Sequence, residues 1–211
     1  MGDKMAGVRP EQSARPERFP PLVKVQLPKH MGRVPGVYWV ATQRFVDELA
    51  SRLRGKRVLE VFAGNGFLAA HLAQAGVDIR ATTIFSGHDA HERGIYFDVE
   101  EMRAEHAVLR YGSESDVLLM AWPTTTPAAL HAAALWGPEK PLVFIGEMTD
   151  LAEGFLGGCA TDEFFEFLQV EHRFASYRQK HAHEHAVVAR LQLPSPSRTS
   201  DSGHPSAESR T

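Results

Sequence analysis

The stretch that decides the fold is residues 58–69, which read VLEVFAGNGFLA. An apolar run interrupted by one acid indicates a buried strand, two glycines follow, and an apolar segment then resumes. Gly64 and Gly66 have no Cβ atom, so the backbone can turn tightly there and a ligand can approach it closely. The start of the next helix offers unpaired N–H groups and the positive end of a dipole. The stretch therefore predicts a strand, a glycine turn and a helix that together receive a polar ligand.

Apolar periodicity on both sides of this stretch predicts alternating helices and strands. Phe45, Leu49 and Leu53 recur at a spacing of four residues, which places an apolar stripe on one face of a helix. Short apolar runs between such helices are typical of buried parallel strands joined by right-handed crossovers. The predicted helices are 41–54, 67–75 and 162–170, and the predicted strands are 57–62, 77–84, 116–121, 142–145, 172–179 and 185–193.

This order of elements defines the fold class. We predict an α/β protein with a doubly wound, mostly parallel sheet and a terminal antiparallel hairpin, because a short His-rich connection joins the last two strands. In such a sheet the ligand crevice lies at the carboxyl ends of the strands. The chain has 211 residues, of which 43% are hydrophobic, so one domain with a sizeable core is expected.

The ends of the chain differ from its body in composition. Residues 1–37 predict an extended or disordered leader rich in proline and basic side chains, residues 38–193 predict the domain, and the Ser/Pro-rich residues 194–211 predict a disordered tail. Residues 1–57 hold 12 lysines and arginines against 5 acidic residues, whereas the rest of the chain holds 11 against 21. A single cysteine, and no apolar run of roughly 20 residues, favour a cytoplasmic protein without disulfides or membrane spans.

Two kinds of cofactor fit the glycine turn. Residues 64–69 satisfy the G-x-G-x-x-[GA] pattern of dinucleotide-binding proteins, which also requires an acidic residue about 20 positions further on to hold the ribose. Residues 82–84, at that distance, are Thr-Thr-Ile. Glu60, near the end of the first strand, instead suits the ammonium of a methionine moiety. A cofactor with that cationic group is therefore favoured over NAD.

Residues 58–69 resemble motif I of the class I S-adenosylmethionine-dependent methyltransferases, in the variant acid-x-Phe-Ala-Gly-x-Gly. The order of the strands extends the resemblance loosely over residues 41–193. It implies a methyltransferase of this fold with S-adenosylmethionine as cofactor, whose methionine end lies against the glycine turn. The cofactor-binding residues predicted with it are Glu60, Phe62, Gly64, Asn65, Gly66, Thr83, Asp98, Val99 and Ala121.

The second and third strands hold the residues expected at the adenosine end. Members of this family usually place an acid at the end of the second strand to bind the ribose, whereas this chain has Thr83 there, with Ser86 and Asp89 nearby. Either a neighbour replaces the acid, or cofactor binding is weak or altered. Asp98 and Val99 occupy the third-strand position where, in the family, an acid and its neighbour often flank the adenine.

Trp122 and Glu147 are the catalytic candidates, because each follows a strand at the edge of the crevice. Residues 121–123, Ala-Trp-Pro, partly resemble motif IV of amino-methyltransferases, in which Asn or Asp stands in place of Ala121. The alanine lacks a side chain that would accept a hydrogen bond from an amine, which disfavours methylation of adenine or glutamine nitrogens. Glu147 is placed to act as a general base for a protonated acceptor.

Three histidines near the end of the domain alternate in sequence. In an extended strand, His181, His183 and His185 would all point to one side, where they would hold a metal or contact an anion. No cysteine or clear carboxylate set accompanies them, and the spacing also occurs in polar hairpins. We therefore predict no metal site.

Two smaller features complete the candidates. Cys159 has no motif partner and is expected to be a buried or inert thiol. Tyr38 and Trp39 precede the first helix, and they either close over the pocket or anchor the leader.

The favoured function is N- or O-methylation of a small molecule. The acidic body and the absence of a recognisable nucleic-acid module disfavour a large anionic acceptor, although the basic leader keeps nucleic acid open. The alternatives are an enzyme of this fold that consumes S-adenosylmethionine itself, a degenerate binding protein without catalysis, and a nicotinamide enzyme. The sequence leaves the oligomeric state open.

Overall fold

The computed structural model describes residues 37–40, 42–85 and 95–194. The predicted leader up to residue 36, the tail from residue 195, and Ser86 and Asp89 lie outside the described residues. The division of the chain into leader, domain and tail therefore stays a prediction.

A central sheet is built from strands that match the predicted order. They are β1 (Arg57–Val61), β2 (Asp78–Thr83), β3 (Val99–Glu101), β4 (Val117–Ala121), β5 (Leu142–Glu147), β6 (Leu168–Arg173) and β7 (Glu184–Leu191). Their order across the sheet is β3-β2-β1-β4-β5-β7-β6. The pairs among β1 to β5 are parallel, whereas β7 is antiparallel to both β5 and β6.

The strand order confirms the predicted fold class. The chain moves outward from β1 through β2 to β3 and then returns to β4 on the other side of β1, so the order reverses between β1 and β4. β7 lies antiparallel between β5 and β6 and forms the predicted terminal hairpin. This is the class I methyltransferase fold, in which the crevice for a ligand lies at the point of reversal.

Helices cover both faces of the sheet. α1 (Gln43–Leu53) and α2 (Phe67–Gln74) share one apolar layer, and α3 (Ala104–Tyr111), α4 (Ala128–Trp136) and α5 (Asp162–Glu166) share the other. Alternate side chains of β1, β4 and β5 are buried in the two layers, which is why these strands are almost wholly apolar. No helix in the described ranges has the length and apolar content that a bilayer span requires.

Side-chain hydrogen bonds support the starts of the first two helices. The Thr42 hydroxyl accepts a hydrogen bond of 3.3 Å from the Phe45 N–H at the start of α1. Asn65 Oδ1 accepts one of 3.3 Å from the Phe67 N–H at the start of α2. Both bonds satisfy N–H groups that have no partner within the helix. The N-cap residue of α2 is Gly66, so the bond to Asn65 lies one residue earlier and holds the turn that follows β1.

Two predicted elements near the end of the domain are wrong in their bounds. The predicted helix 162–170 ends at Glu166, and the predicted strand 172–179 is replaced by β6, which begins at residue 168. The Phe167 carbonyl accepts a hydrogen bond of 2.9 Å from the Gln192 N–H, and the residues after it pair with β7. The hairpin ladder therefore uses the backbone groups that a longer helix would need.

Candidate functional site

A cavity of about 530 Å³ opens at the carboxyl ends of β1, β2 and β4. This volume falls within the range of small-molecule sites, roughly 300–1,000 Å³. Apolar and aromatic side chains line it together with a few acidic, basic and hydroxyl groups. The structure brings together these predicted site residues on its walls: Glu60, Phe62, Gly64, Asn65, Thr83, Ala121 and Trp122.

The two central strands, β1 and β4, are each followed by an aromatic residue with unusual backbone geometry. Phe62 has a φ of 62° and Trp122 a φ of 52°, in the left-handed region that residues other than glycine seldom adopt. The Trp122 N–H donates a hydrogen bond of 2.7 Å to the Ile145 carbonyl, which holds the turn after β4. Such strain costs roughly 1–3 kcal/mol per residue and concentrates at functional sites. Both aromatic residues line the cavity.

Glu60 provides a buried acid to this cavity. Its side chain is 1% exposed, and its Oε2 has no hydrogen-bond partner among the described residues. Burial raises the pKa of Glu60 from 4.5 to about 8, because the charged form loses its hydration. A cationic group brought to the carboxyl would compensate that loss and favour the ionised form. This end of the cavity therefore favours a ligand with positive charge.

Gly66 supports the turn from behind and does not line the cavity. Its φ is 77°, and a Cβ placed on it would lie 2.7 Å from side-chain atoms of both Phe97 and Val99. The turn can approach the segment before β3 this closely only because residue 66 lacks a side chain. Gly66 therefore has a packing role in the turn, and its contact with a cofactor stays a prediction.

The second strand, β2, contributes no acid to the part of the cavity wall that the structure describes. Thr83 ends β2, is 5% exposed and lines the cavity, and its carbonyl accepts a hydrogen bond of 2.8 Å from the Met102 N–H. Among the described residues, the acids on the cavity wall are Glu60 and Glu105, and both lie outside β2. Thr83 therefore offers a hydroxyl where the family usually has a carboxylate.

The structure does not bring Asp98 and Val99 to the cavity. Asp98 is exposed, and Val99 is buried as the first residue of β3. In the ladder between β2 and β3, Glu101 lies opposite Thr83, and Met102 directly after it lines the cavity. The acid and neighbour at the carboxyl end of the third strand are therefore Glu101 and Met102. Asp98 and Val99 lie at the amino end of this three-residue strand, and their contact with a cofactor stays a prediction.

An acid–histidine pair that was not predicted lies on the side of α3 and α4. Glu105 near the start of α3 and His131 on α4 both line the cavity, and Glu105 Oε1 lies 3.8 Å from His131 Nδ1. Glu105 Oε2 is buried and makes no hydrogen bond within the described ranges, although Arg103 Nε lies 3.9 Å away. The residues come from separate helices, so no local pattern marks them.

Tyr38 and Trp39 both line the cavity, ahead of α1. The Tyr38 ring packs against Trp122 in a tilted arrangement, with 6.5 Å between ring centroids and 40° between the ring planes. Trp39 packs edge-on against Phe45 of α1 at 5.6 Å and against Phe67 of α2 at 6.5 Å. Trp39 thus anchors this segment to the apolar layer, and Tyr38 adds an aromatic wall to the cavity.

Glu147, the second catalytic candidate, does not line this cavity. It is the last residue of β5 and lies directly opposite Glu184 at the start of β7. Cys159 is held beside it, because its N–H donates a hydrogen bond of 3.0 Å to the Glu147 carbonyl. Burial raises the pKa of the Cys159 thiol to about 12, so the reactive thiolate is disfavoured, as expected for an inert thiol.

The three histidines do not form one cluster. β7 begins at Glu184, so His181 and His183 precede the strand that was expected to align all three. His183 stacks on Phe155 with 3.8 Å between ring centroids. Its ligand atom and those of Asp150 and Glu153 lie within 4.8 Å of one another, in an arrangement that can hold a metal ion. The prediction that the protein has no metal site stays a prediction.

No family model matches this chain. Similar solved structures include a mutant of MtNAS in complex with S-adenosylmethionine, at 14% identity and a TM-score of 0.49, and TehB from Haemophilus influenzae, at 13% and 0.45. The alignments cover 70% and 72% of this chain but only 62% and 63% of those proteins. Another is magnesium protoporphyrin IX methyltransferase from Synechocystis PCC 6803 with bound SAM, at 16% and 0.45, with 70% and 79% covered. The likeness concerns the fold alone.

Proposed function

We propose that this chain, whose fold is that of the class I methyltransferases, binds S-adenosylmethionine in the cavity beside Glu60 and transfers its methyl group to a nitrogen or oxygen of a small molecule. A cytoplasmic location is part of the proposal. A nucleic-acid acceptor is less favoured, because the cavity is mostly apolar and contains two acids, Glu60 and Glu105.

The buried carboxyl of Glu60 supports this proposal more than any other observation. A carboxyl that is 1% exposed and has an unpartnered oxygen lacks a counter-charge among the described residues. The ammonium of a methionine moiety supplies such a charge together with hydrogen-bond donors. Gly64 and Asn65 of the same turn line the cavity and leave room for the ligand.

The described residues fit this cofactor at its methionine end and depart from the family pattern at its ribose. Glu60, Phe62 and Gly64 would hold the methionine end, and Thr83 and Met102 would face the adenosine. A neutral hydroxyl makes weaker hydrogen bonds to a ribose than a carboxylate does. We therefore expect the cofactor to bind less tightly than it would with an acid at residue 83.

S-adenosylmethionine supplies a methyl group on a positively charged sulfur, and transfer breaks the carbon–sulfur bond, leaves its electron pair on sulfur and joins the carbon to a lone pair of the acceptor. The contribution of the protein is mainly positioning. We propose that Trp122 and Tyr38 hold the acceptor and exclude water. The carboxylate and imidazole of Glu105 and His131 are placed to accept the proton that the acceptor loses.

Calorimetric titration with S-adenosylmethionine, S-adenosylhomocysteine and NADH tests the proposal. The expected result is micromolar binding of both adenosyl ligands and none of NADH. Glu60→Gln should weaken S-adenosylmethionine binding by about tenfold or more, because it removes a charged hydrogen-bond partner. Glu163→Gln, an exposed acid on α5, is the matched control and should bind as the wild type does. Absence of adenosyl binding would contradict the proposal.

A second candidate is a binding protein of the same fold without catalysis, which Thr83 and Ala121 favour, since both depart from the family motifs. An assay for S-adenosylhomocysteine formation separates the two. Product that requires an added acceptor supports the transferase, and product without any acceptor indicates that S-adenosylmethionine itself is consumed. Tight binding without product across an acceptor screen supports the binding protein.

A further inference from the structure

Two acids face each other across the ladder between β5 and β7. Glu147 and Glu184 are directly opposed on these antiparallel strands, so their side chains leave the same face of the sheet. Glu184 is fully buried, and Glu147 is half-buried. Like charges in directly opposed positions destabilise a ladder, and burial increases that cost. A positively charged group beside the two acids would offset this cost.

The described part of the chain does not supply a cation to this carboxylate pair. Glu184 Oε2 accepts a hydrogen bond of 2.8 Å from the Lys180 backbone N–H, but Glu184 Oε1 is buried and has no partner among the described residues. Within the same ranges, no lysine, arginine or histidine forms an ion pair with either Glu147 or Glu184. A neutral N–H offsets only part of the desolvation of one buried carboxylate.

Two uncharged polar groups accompany the carboxylate pair Glu147 and Glu184. The Tyr177 hydroxyl and Trp122 Nε1 are both buried, and the indole N–H is directed at the phenol oxygen. The pKa of Tyr177 is raised, first by burial and then by the charge of Glu184, with the Trp122 N–H opposing the effect and Glu147 adding to it. The phenol therefore keeps its proton, and its oxygen can accept a hydrogen bond.

Trp122 belongs both to the wall of the cofactor cavity and to the surroundings of the carboxylate pair. The residue lines the cavity, and its buried ring nitrogen is turned away from solvent. Tyr177 is fixed from the other side, because its ring packs edge-on against Phe45 of α1 with 5.0 Å between centroids. A group bound at the carboxylate pair would therefore lie next to the indole that we place beside the methyl acceptor.

We propose that Glu147 and Glu184, together with the Tyr177 hydroxyl, bind a primary ammonium group of the methyl acceptor. An ammonium has three N–H donors, which match the unpartnered Glu184 oxygen, the Glu147 carboxylate and the remaining lone pair of the phenol oxygen, and its charge offsets the opposed acids. It has no lone pair, so it cannot be the methylated atom. The acceptor is therefore a small molecule with an ammonium group for recognition and a separate nitrogen or oxygen that receives the methyl group.

This inference rests on the proposed function for the identity of the ligand, and its test uses simple probes. Ligand-observed NMR titration of the full chain, with and without S-adenosylhomocysteine, would compare butylammonium, butyrate and butanol. We expect binding of butylammonium only. Glu184→Gln and Glu147→Gln should each weaken it by about tenfold, since each removes one charged hydrogen-bond partner. Glu166→Gln, an exposed acid on α5, is the matched control and should change nothing.

Each outcome bears on the inference. Equal binding of butylammonium and butanol, or equal binding by wild type and both Gln variants, overturns it. Glu147→Gln keeps the test valid if the buried variant does not fold, because Glu147 is half-buried. If S-adenosylhomocysteine does not bind while butylammonium binds at the pair, the proposed function fails and the cation site stands. If S-adenosylhomocysteine binds and butylammonium does not, the inference alone fails.

Discussion

Two regions at the carboxyl edge of the sheet bury acids without a counter-charge among the described residues, and they do so in different ways. Near the end of β1, Glu60 stands alone, and burial raises its pKa to about 8. At the end of β5, Glu147 and Glu184 face each other. A lone buried acid relieves its desolvation by keeping a proton, whereas a cation relieves both the desolvation and the mutual repulsion of an opposed pair. The first region should therefore respond to pH, and the second to cations.

The largest expected effect is a loss of stability with rising pH that depends on Glu60. Its carboxyl titrates near 4.5 in the unfolded chain and near 8 in the fold. Below both values it is protonated in both states, and between them the unfolded chain releases its proton first, which favours unfolding by about 1.4 kcal/mol per pH unit. Relative to Glu60→Gln, the wild type should lose roughly 4–5 kcal/mol between pH 4.5 and 8, as measured by urea unfolding.

Glu147→Gln serves as the control for this measurement. It removes an acid of the second region and leaves Glu60 in place, so it should keep the pH dependence of the wild type that comes from Glu60. Parallel stability curves for the wild type and Glu60→Gln would show that Glu60 is not protonated in the fold, and the contrast between the two regions would fail.

Gly66→Ala should destabilise the first region, because the added methyl group would clash with neighbouring side chains. A Cβ there would lie 2.7 Å from Phe97 and Val99 at a φ of 77°, so we expect a loss of roughly 2–4 kcal/mol in the free energy of unfolding. Gly76→Ala is the matched control, because its φ of 86° is similar and nothing lies within 4 Å of the new Cβ. It should cost about 1 kcal/mol from backbone strain alone. Equal losses would rule out the close approach behind the turn.

The smallest expected effect is the change in the free energy of unfolding when one acid of the carboxylate pair is replaced in the protein without a ligand. Glu147→Gln should raise the free energy of unfolding at pH 7 by about 0.2–1 kcal/mol, because it removes the repulsion between directly opposed acids. Glu166→Gln should leave it unchanged within error in the same urea titration. A destabilised Glu147→Gln variant would indicate that Glu147 already has a favourable partner.

Helices and strands whose pattern lies within one short stretch of sequence were predictable. Those whose conformation depends on pairing with a strand far along the chain were not. The turn at Gly64 and Gly66 follows from local backbone requirements, so the strand, turn and helix around it were predicted within one residue. The segment after residue 166 is apolar enough for either helix or strand. Its pairing with β7 decided the outcome, as the hydrogen bond to the Phe167 carbonyl shows.

The same distinction applies to the candidate site. Glu60, Thr83 and Trp122 lie at or next to strand ends, and parallel strands in a doubly wound sheet bring those ends to one edge. Glu105 and His131 reach the cavity from separate helices whose packing no short motif records. Glu147 was singled out, but its partner Glu184 was not, because their pairing depends on the register of β5 and β7.

Recognition of the cofactor by Glu60 is tested most directly by the protons released on binding. Titration calorimetry of S-adenosylmethionine at pH 7, in two buffers with different ionisation enthalpies, measures this number for the wild type and for Glu60→Gln. The ligand's own titration is common to both proteins. The expected result is that the wild type releases about one proton more than the variant, because binding ionises a carboxyl whose pKa is about 8 in the free protein. Equal proton release by two proteins that both bind the ligand would contradict a role for Glu60 in pairing with its ammonium.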